Sequence, residues 1–313
     1  MNIPYSELLG KTVVSAVKLS GGINNPTFKL ISDSGESYIL QFSGEKFPDK
    51  TIRQPLITSL LKEKTSLPVA NIIKSDSSCS VIPEKYIITE CLPGIELGNV
   101  SSNFNDDQII TLYKDIAKIL SSLHKVQFDS FGELVFKEND ILIEPSFSSA
   151  CNQILEEYSS WINKGLNSPF AEYVPALLDW LESNIVVFGD DIVPRLTHND
   201  FRNFNILVLE NGSISGVVDL DNICSSNSVA DIYRIYHNFS GEQKTLALKT
   251  FFENYTVPLP DNFEKQLMFY EITHVLAYFD CWKQIVDSYS PNELNKMTKK
   301  MISDVETLLA TKL

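Results

Sequence analysis

The sequence predicts an α+β chain of two lobes, a small β-rich lobe over residues 1–92 and a larger, mainly helical lobe over residues 93–313. Three observations carry this. Apolar residues in the first ninety positions recur mostly with period two, between Gly and Asp turns. From Asp106 onwards they recur at helical spacing over long segments. Between the two regimes, Leu92-Pro93-Gly94 interrupts the chain. No internal repeat, low-complexity tract or long linker divides it further.

The elements follow in order. Thr12 to Leu19 is rich in β-formers and ends at Ser20-Gly21-Gly22. Thr27 to Ile31 and Ser37 to Phe42 alternate on either side of the Asp33-Ser34-Gly35 turn. Ile52 to Lys64 has helical spacing, with Ile52, Leu56, Leu60 and Leu61 on one side. Tyr86 to Thr89 reads as a buried strand. Helices are expected over Asp106 to His124, Cys151 to Asn163, Tyr173 to Ser183, Gln243 to Tyr255, Phe263 to Asp287 and Pro291 to Leu313.

Composition narrows the function classes. The 313 residues are 43% hydrophobic, 11% aromatic and 21% charged, which suits a packed core and not a disordered chain. The net charge of -14 argues against a nucleic-acid or anionic-membrane binder, since both need a basic footprint. It permits a cationic substrate. Cys79, Cys91, Cys151, Cys224 and Cys281 are odd in number and scattered, as reduced thiols are. The N-terminus lacks a signal peptide's basic and apolar regions, and no apolar run could span a bilayer. A cytoplasmic protein is expected.

One segment breaks the helical pattern of the second half. Ile206 to Glu210, Asn211-Gly212 and Ser213 to Val218 read as a hairpin with a two-residue turn. With Glu210 opposite Ser213, Asn205 falls opposite Val218, and Asp219 opposite Phe204. Asn205 and Asp219 then meet at the open end of the hairpin, with Asp200 just upstream. Two oxygen-bearing side chains there suit a hard cation such as Mg²⁺. A free carboxylate beside them can orient or deprotonate a hydroxyl. Strict alternation would point Asn205 and Asp219 to opposite faces, so the ladder must end or bulge at this point.

His198-x-Asp200-x-x-x-x-Asn205 has the spacing of the kinase catalytic loop, and Asp219 falls where the second kinase motif places its metal-binding Asp. With these residues the chain resembles the aminoglycoside phosphotransferase and choline kinase-like family, a branch of the protein-kinase fold. Further stretches carry the resemblance: Gly21-Gly22-Ile23-Asn24-Asn25 as a phosphate-covering loop, Tyr38 to Phe42 as the next strand, and Ile88 to Gly94 as the hinge. Leu67-Pro68-Val69, Leu120 to His124, Asp219-Leu220-Asp221 and Asp231 complete it.

The resemblance implies a two-lobed protein-kinase-like fold and transfer of the γ-phosphate of ATP or GTP to a hydroxyl of a small acceptor. It implies Asp200 as catalytic base or hydroxyl-orienting carboxylate, and Asn205 and Asp219 as Mg²⁺ ligands. Gly21, Gly22, Asn24, Gln41 and the hinge residues Glu90, Cys91 and Leu92 would hold the nucleotide. His198 would support the loop, and Asp231 would help to hold the Asp219-Leu220-Asp221 segment in place. Aminoglycosides, choline or another amino alcohol, sugars and homoserine all remain open as acceptors. Glu156, Glu157, Glu271 and Asp280 are the candidate acceptor-binding carboxylates, and the aromatic run from Phe269 to Trp282 is core by default or an ammonium site by alternative. His124 reads as a helix C-terminal cap, and His237 and His274 as structural residues.

The chain departs from the family at two positions. Gln41 stands where the family has a strand Lys or Arg, and Gln54 where it has a helix Glu. An amide can donate to a phosphate but brings no charge. Lys29, Lys46 or Arg53 could substitute for the missing cation. These changes motivate the alternative function, a catalytically impaired kinase-like protein that binds a ligand or partner. A protein kinase fits less well, because Asp231 follows Asp221 too soon for an activation loop.

Overall fold

The computed structural model describes residues 3–19, 26–44, 48–137 and 140–313. The phosphate-loop candidates Gly21, Gly22 and Asn24, and also Lys46, lie outside the described residues. The chain opens with a short helix, α1 (Tyr5–Leu9), and strands β1 (Val13–Lys18), β2 (Thr27–Ser32) and β3 (Ser37–Phe42). Helix α2 (Lys50–Lys64), β4 (Ile72–Asp76) and β5 (Tyr86–Glu90) follow. The five strands form an antiparallel sheet in the order β1-β2-β3-β5-β4. On one face Leu30, Tyr38, Leu40, Phe42 and Ile88 pack beneath Leu8 and Leu9 of α1. Alternation therefore leaves Lys29, Ile39 and Gln41 on the opposite face.

Helix α2 does not bury the side that spacing suggested. Ile52 and Leu56 are exposed, whereas Ile57, Leu60 and Leu61 are buried in the core of the larger lobe. Counting back from those three by helical steps gives Arg53 and Gln54, then Lys50. The inward stripe of α2 is thus apolar at one end and polar at the other. Pro55 interrupts the helix ladder, because it cannot donate to the Thr51 carbonyl. The Ser75 hydroxyl on β4 donates to that carbonyl instead.

The larger lobe contains β6 (Ile95–Glu96), α3 (Leu97–Val100) and the long helix α4 (Asp106–His124). Asn105 and Gln108 close a capping box at the start of α4. Then come β7 (Gly132–Lys137), β8 (Asp140–Ile143), α5 (Ala150–Lys164), α6 (Val174–Asn184) and β9 (Arg195–Thr197). The hairpin β10 (Ile206–Val208) and β11 (Ile214–Val217) leads to β12 (Cys224–Ser226) and α7 (Val229–Ile235). Helices α8 (Gly241–Asn254), α9 (Phe263–Thr273), α10 (Ala277–Asp280), α11 (Trp282–Ser288) and α12 (Pro291–Ala310) complete the chain. The expected continuous helix from Phe263 to Asp287 is broken, with a tight turn at His274–Leu276 between α9 and α10.

This lobe has more strands than the one hairpin read from sequence. A four-stranded sheet runs β8-β7-β12-β9, and a three-stranded one runs β11-β10-β6. The second joins the hinge to the hairpin, because Glu96 pairs with Leu207 and Ile95 with Val208. The contact is close. Gly94 has φ +108, and a Cβ on it would lie 2.5 Å from Ser215 Oγ and 2.8 Å from the Val208 carbonyl oxygen. All five cysteines are free thiols. Among the described residues no helix is long and apolar enough to cross a membrane.

Candidate active site

The hairpin sets the geometry. Its turn is Leu209 to Gly212, with Gly212 N donating to the Leu209 carbonyl and Leu209 N to the Ser213 carbonyl. Glu210 and Asn211 therefore occupy the centre of the turn, not Asn211 and Gly212. Gly212, at φ +84, takes the left-handed position that follows such a turn. The register is one residue off the expected one at the turn. A bulge between Leu207 and Val208 leaves Ser215 as the extra residue and restores the expected pairing at the mouth. There Ile206 pairs with Val217, and Val218 N donates to the Asn205 carbonyl. The Ser215 hydroxyl, freed from the ladder pattern, donates to the Pro93 carbonyl of the hinge (2.5 Å).

The ladder ends at Asp219, which has φ +62. Past that left-handed turn, strict alternation no longer fixes the face of Asp219. Asn199, just before Asp200, is also left-handed at φ +61. Asn and Asp tolerate this conformation better than most residues, and each such position stores of order 1 kcal/mol of strain.

Asp200 and Asn205 are both buried. Asn205 Nδ2 donates to the Asp200 carbonyl and to Asp200 Oδ2, both at 2.9 Å. The two amide protons are thereby committed, and the amide oxygen is the atom left for a ligand. Asp219 is exposed and has no hydrogen-bond or ion-pair partner among the described residues. An amide oxygen and an unpaired carboxylate are hard donors that fit Mg²⁺, which takes few protein ligands and keeps water and phosphate oxygens. Among the described residues no group of three or more His, Cys, Asp or Glu could hold a metal ion.

The loop is held from behind by a buried network. Asp231 Oδ2 accepts from His198 N (2.9 Å) and Oδ1 from Asn199 N (2.7 Å). His124 Nε2 lies 3.0 Å from Asp231 Oδ2, and its Nδ1 lies 2.8 Å from the Tyr255 hydroxyl. Burial alone would raise the Asp231 carboxyl, but the His124 hydrogen bond, the two imidazoles and the His198 N–H hold it below its ordinary value. His124 is therefore no helix cap: it is fully buried and works sideways, onto Asp231. His198 Nδ1 accepts from Asp200 N (3.3 Å), while its Nε2 is buried without a partner.

Lys50 and Arg53 are the residues that sequence reasoning missed or left open. Lys50 Nζ lies 2.8 Å from Asp221 Oδ2, with both side chains buried. Arg53 donates to the Asp221 carbonyl (2.7 Å) and to the Ile223 carbonyl (2.6 Å). Gln54 Oε1 is buried without a partner, and Gln41 is half-buried on the sheet face away from α1. In the hinge, Glu90 Oε1 accepts from Asn71 N and Nδ2, and Cys91 N donates to the Ser37 carbonyl. The Cys91 N–H is thus already used within the sheet. A Cβ on Gly216 would lie 2.5 Å from Leu92 Cδ1, so Leu92 rests directly on the hairpin.

The profile of the phosphotransferase enzyme family, APH, matches residues 15–265. The chain belongs to this phosphotransferase family. Membership makes it a phosphotransferase acting on an alcohol group. No curated protein matches the chain. Solved structures of similar fold include the gentamicin complex of APH(2″)-IIa, at TM-score 0.67 and 17% identity over 100% of this chain and 98% of that one. The ADP-bound aminoglycoside phosphotransferase APH(2″)-Ib has TM-score 0.66 and 17% identity, covering 97% and 95%. A thermostable mutant of APH(4)-Ia with ADP and hygromycin B has TM-score 0.66 and 14% identity, covering 98% and 96%. The fold of this family member is two-lobed and protein-kinase-like.

The four acidic acceptor candidates are dispersed. Glu156 is exposed on α5. Glu157, half-buried one residue on, acts electrostatically on Tyr233 and Tyr270. Glu271 Oε1 lies 3.9 Å from His237 Nε2, and Asp280 is ion-paired to Lys164. The aromatic run is core: Phe279 stacks on Phe170, and Phe269 contacts Tyr158, Trp180, Phe188 and Tyr270.

Proposed function

We propose that this chain is a small-molecule kinase that transfers the γ-phosphoryl group of ATP or GTP to a hydroxyl of a small acceptor, with Mg²⁺. The observation that carries the reading is the Asp200–Asn205 hydrogen bond beside an unpaired, left-handed Asp219. A structural hairpin has no use for a strained free carboxylate at its mouth. The nucleotide complexes of the similar structures support the donor class.

In this reading Asn205 and Asp219 hold the metal, which neutralises phosphate charge when bound. Asp200 aligns the acceptor hydroxyl and receives its proton as the oxygen bonds to the γ-phosphorus and the bond to the bridging oxygen breaks. Asp200 Oδ2 also faces Arg202 Nε at 3.2 Å, on the Asn205 side. Arg202 supplies there a positive charge that Gln41 cannot. Leu92 and the hinge receive the base, and Glu157 is the acidic candidate set among the tyrosines behind Asp200. The boundary between the lobes falls near Leu92.

The test is a panel of hydroxyl acceptors with ATP or GTP and Mg²⁺, scored by phosphorylated product, on wild type and Asp200→Asn. Product that falls at least 100-fold in the variant supports the reading. The second reading, an impaired kinase-like binding protein, is favoured by the unpartnered Gln54 and by Gln41. Nucleotide binding without transfer to any acceptor would select it.

A further inference from the structure

We propose that the acceptor carries an anionic group, a carboxylate or a phosphate, which Arg234 receives beside Asp200. This rests on Asp200 as the acceptor-orienting carboxylate.

Arginine is scarce in this chain. There are four, Arg53, Arg195, Arg202 and Arg234, against 40 acidic residues. All four sit around the catalytic segment. Arg53 donates to the Asp221 and Ile223 carbonyls, and Arg195 to the His124 carbonyl (2.6 Å). These two hold backbone. Arg202 and Arg234 flank Asp200.

The two oxygens of Asp200 have different neighbours. Oδ2 is taken by Asn205 Nδ2 and faces Arg202. Oδ1 faces Arg234 Nη2 at 3.9 Å, too far for a hydrogen bond. Arg234 is therefore beside the catalytic carboxylate without being consumed by it. Its other contacts are weak. Nη1 lies 3.5 Å from His274 Nδ1, and Nε is buried without a partner. The guanidinium lies over the Tyr233 ring at 4.6 Å. Tyr233 in turn stacks on Tyr270 at 5.4 Å, which fixes the base of the side chain. A positioned guanidinium with unused donors is a fork matched to a carboxylate or phosphate.

Arg234 also acts on the two neighbouring imidazoles. Desolvation, Arg234, His237 and Arg202 hold the His274 imidazole below its ordinary value, against Asp304. Desolvation, Lys244 and Arg234 do the same to His237, against Glu271. Glu157 is the other acidic group acting on Tyr233 besides Asp200. Arg202, Arg234 and Lys244 are interleaved here with Asp200, Glu157, Glu271 and Asp304, and Arg234 is the cation that acts on both imidazoles.

The test uses the full chain and acceptors paired by charge: glycerate with glyceramide, glucuronate with glucose, and glycerol 3-phosphate with glycerol. Each is measured for transfer with ATP or GTP and Mg²⁺, and for binding by calorimetry. At least one anionic member is expected to exceed its neutral partner tenfold or more in kcat/KM or affinity. Arg234→Gln should collapse that ratio towards one through KM, and Arg234→Lys should restore part of it. Nucleotide titration of each variant identifies a misfolded one. Anion binding lost in Arg234→Gln supports the proposal even where no product forms, which would count against the kinase reading alone. Transfer or binding without preference for any anionic member overturns the proposal and leaves the kinase reading standing. Equal losses for both members of a pair in Arg234→Gln also overturn it.

Discussion

Lys50 and Asp221 form a 2.8 Å ion pair buried on both sides, and it joins α2 of the small lobe to the segment that follows Asp219. With Arg53 on the Asp221 and Ile223 carbonyls, α2 fixes that segment at side chain and backbone together. The one acidic residue of α2, Glu63, is exposed at its far end and paired with Lys64. The polar stripe of α2 is turned instead onto the metal-binding segment.

Lys50→Met would leave the Asp221 carboxylate buried and unpaired. We expect a loss of about 3–5 kcal/mol at neutral pH in urea unfolding. Burial raises the Asp221 carboxyl above its ordinary value, with Lys50 pulling against it. A raised folded value means that Asp221's contribution is fully present below the unfolded value and is lost as pH rises through the folded one. The gap between wild type and Lys50→Met should therefore be smallest in acid and widen as the carboxyl ionises.

Asp231 has the opposite sign. Its carboxyl is held below its ordinary value, so its stabilisation is present above the unfolded value and is lost as pH falls through the folded one. Asp231→Asn would present amide protons to N–H groups. We expect a loss of about 2–4 kcal/mol in thermal unfolding. The kcat should drop more than tenfold, with nucleotide affinity near wild type, because the residue positions the loop and touches no phosphate.

Gln41→Lys places a charge on the face of β3 away from α1. A charge-assisted hydrogen bond is about twice as strong as a neutral one, a gain of about 1 kcal/mol. Nucleotide affinity should rise about fivefold in calorimetric titration. Unchanged affinity would mean that Gln41 does not face the phosphates.

Much of this arrangement was legible from sequence. Helix α4 has the expected bounds, and the expected Asn205–Val218 pairing stands at the hairpin mouth. It stands although the turn was misplaced, because the Ser215 bulge compensates a one-residue error, and no local propensity announces a bulge made against the hinge. The Asp231–His124 contact spans 107 positions, so His124 read as a cap from its place at the end of α4. A lysine at a helix start reads from sequence as solvated, which hides the role of Lys50. The signal for it is its alignment with Ile57, Leu60 and Leu61, the inward stripe. Sheets made from short strands such as β9 and β12 have too few residues each to show a period.

The most direct measurement is calorimetric titration of ATP and of GTP, with and without Mg²⁺, on wild type and Asp219→Ala. The account predicts that at least one nucleotide binds in a metal-dependent manner, and that Asp219→Ala weakens this binding tenfold or more. No binding of either nucleotide at millimolar concentration, or binding indifferent to both Mg²⁺ and Asp219, would contradict it.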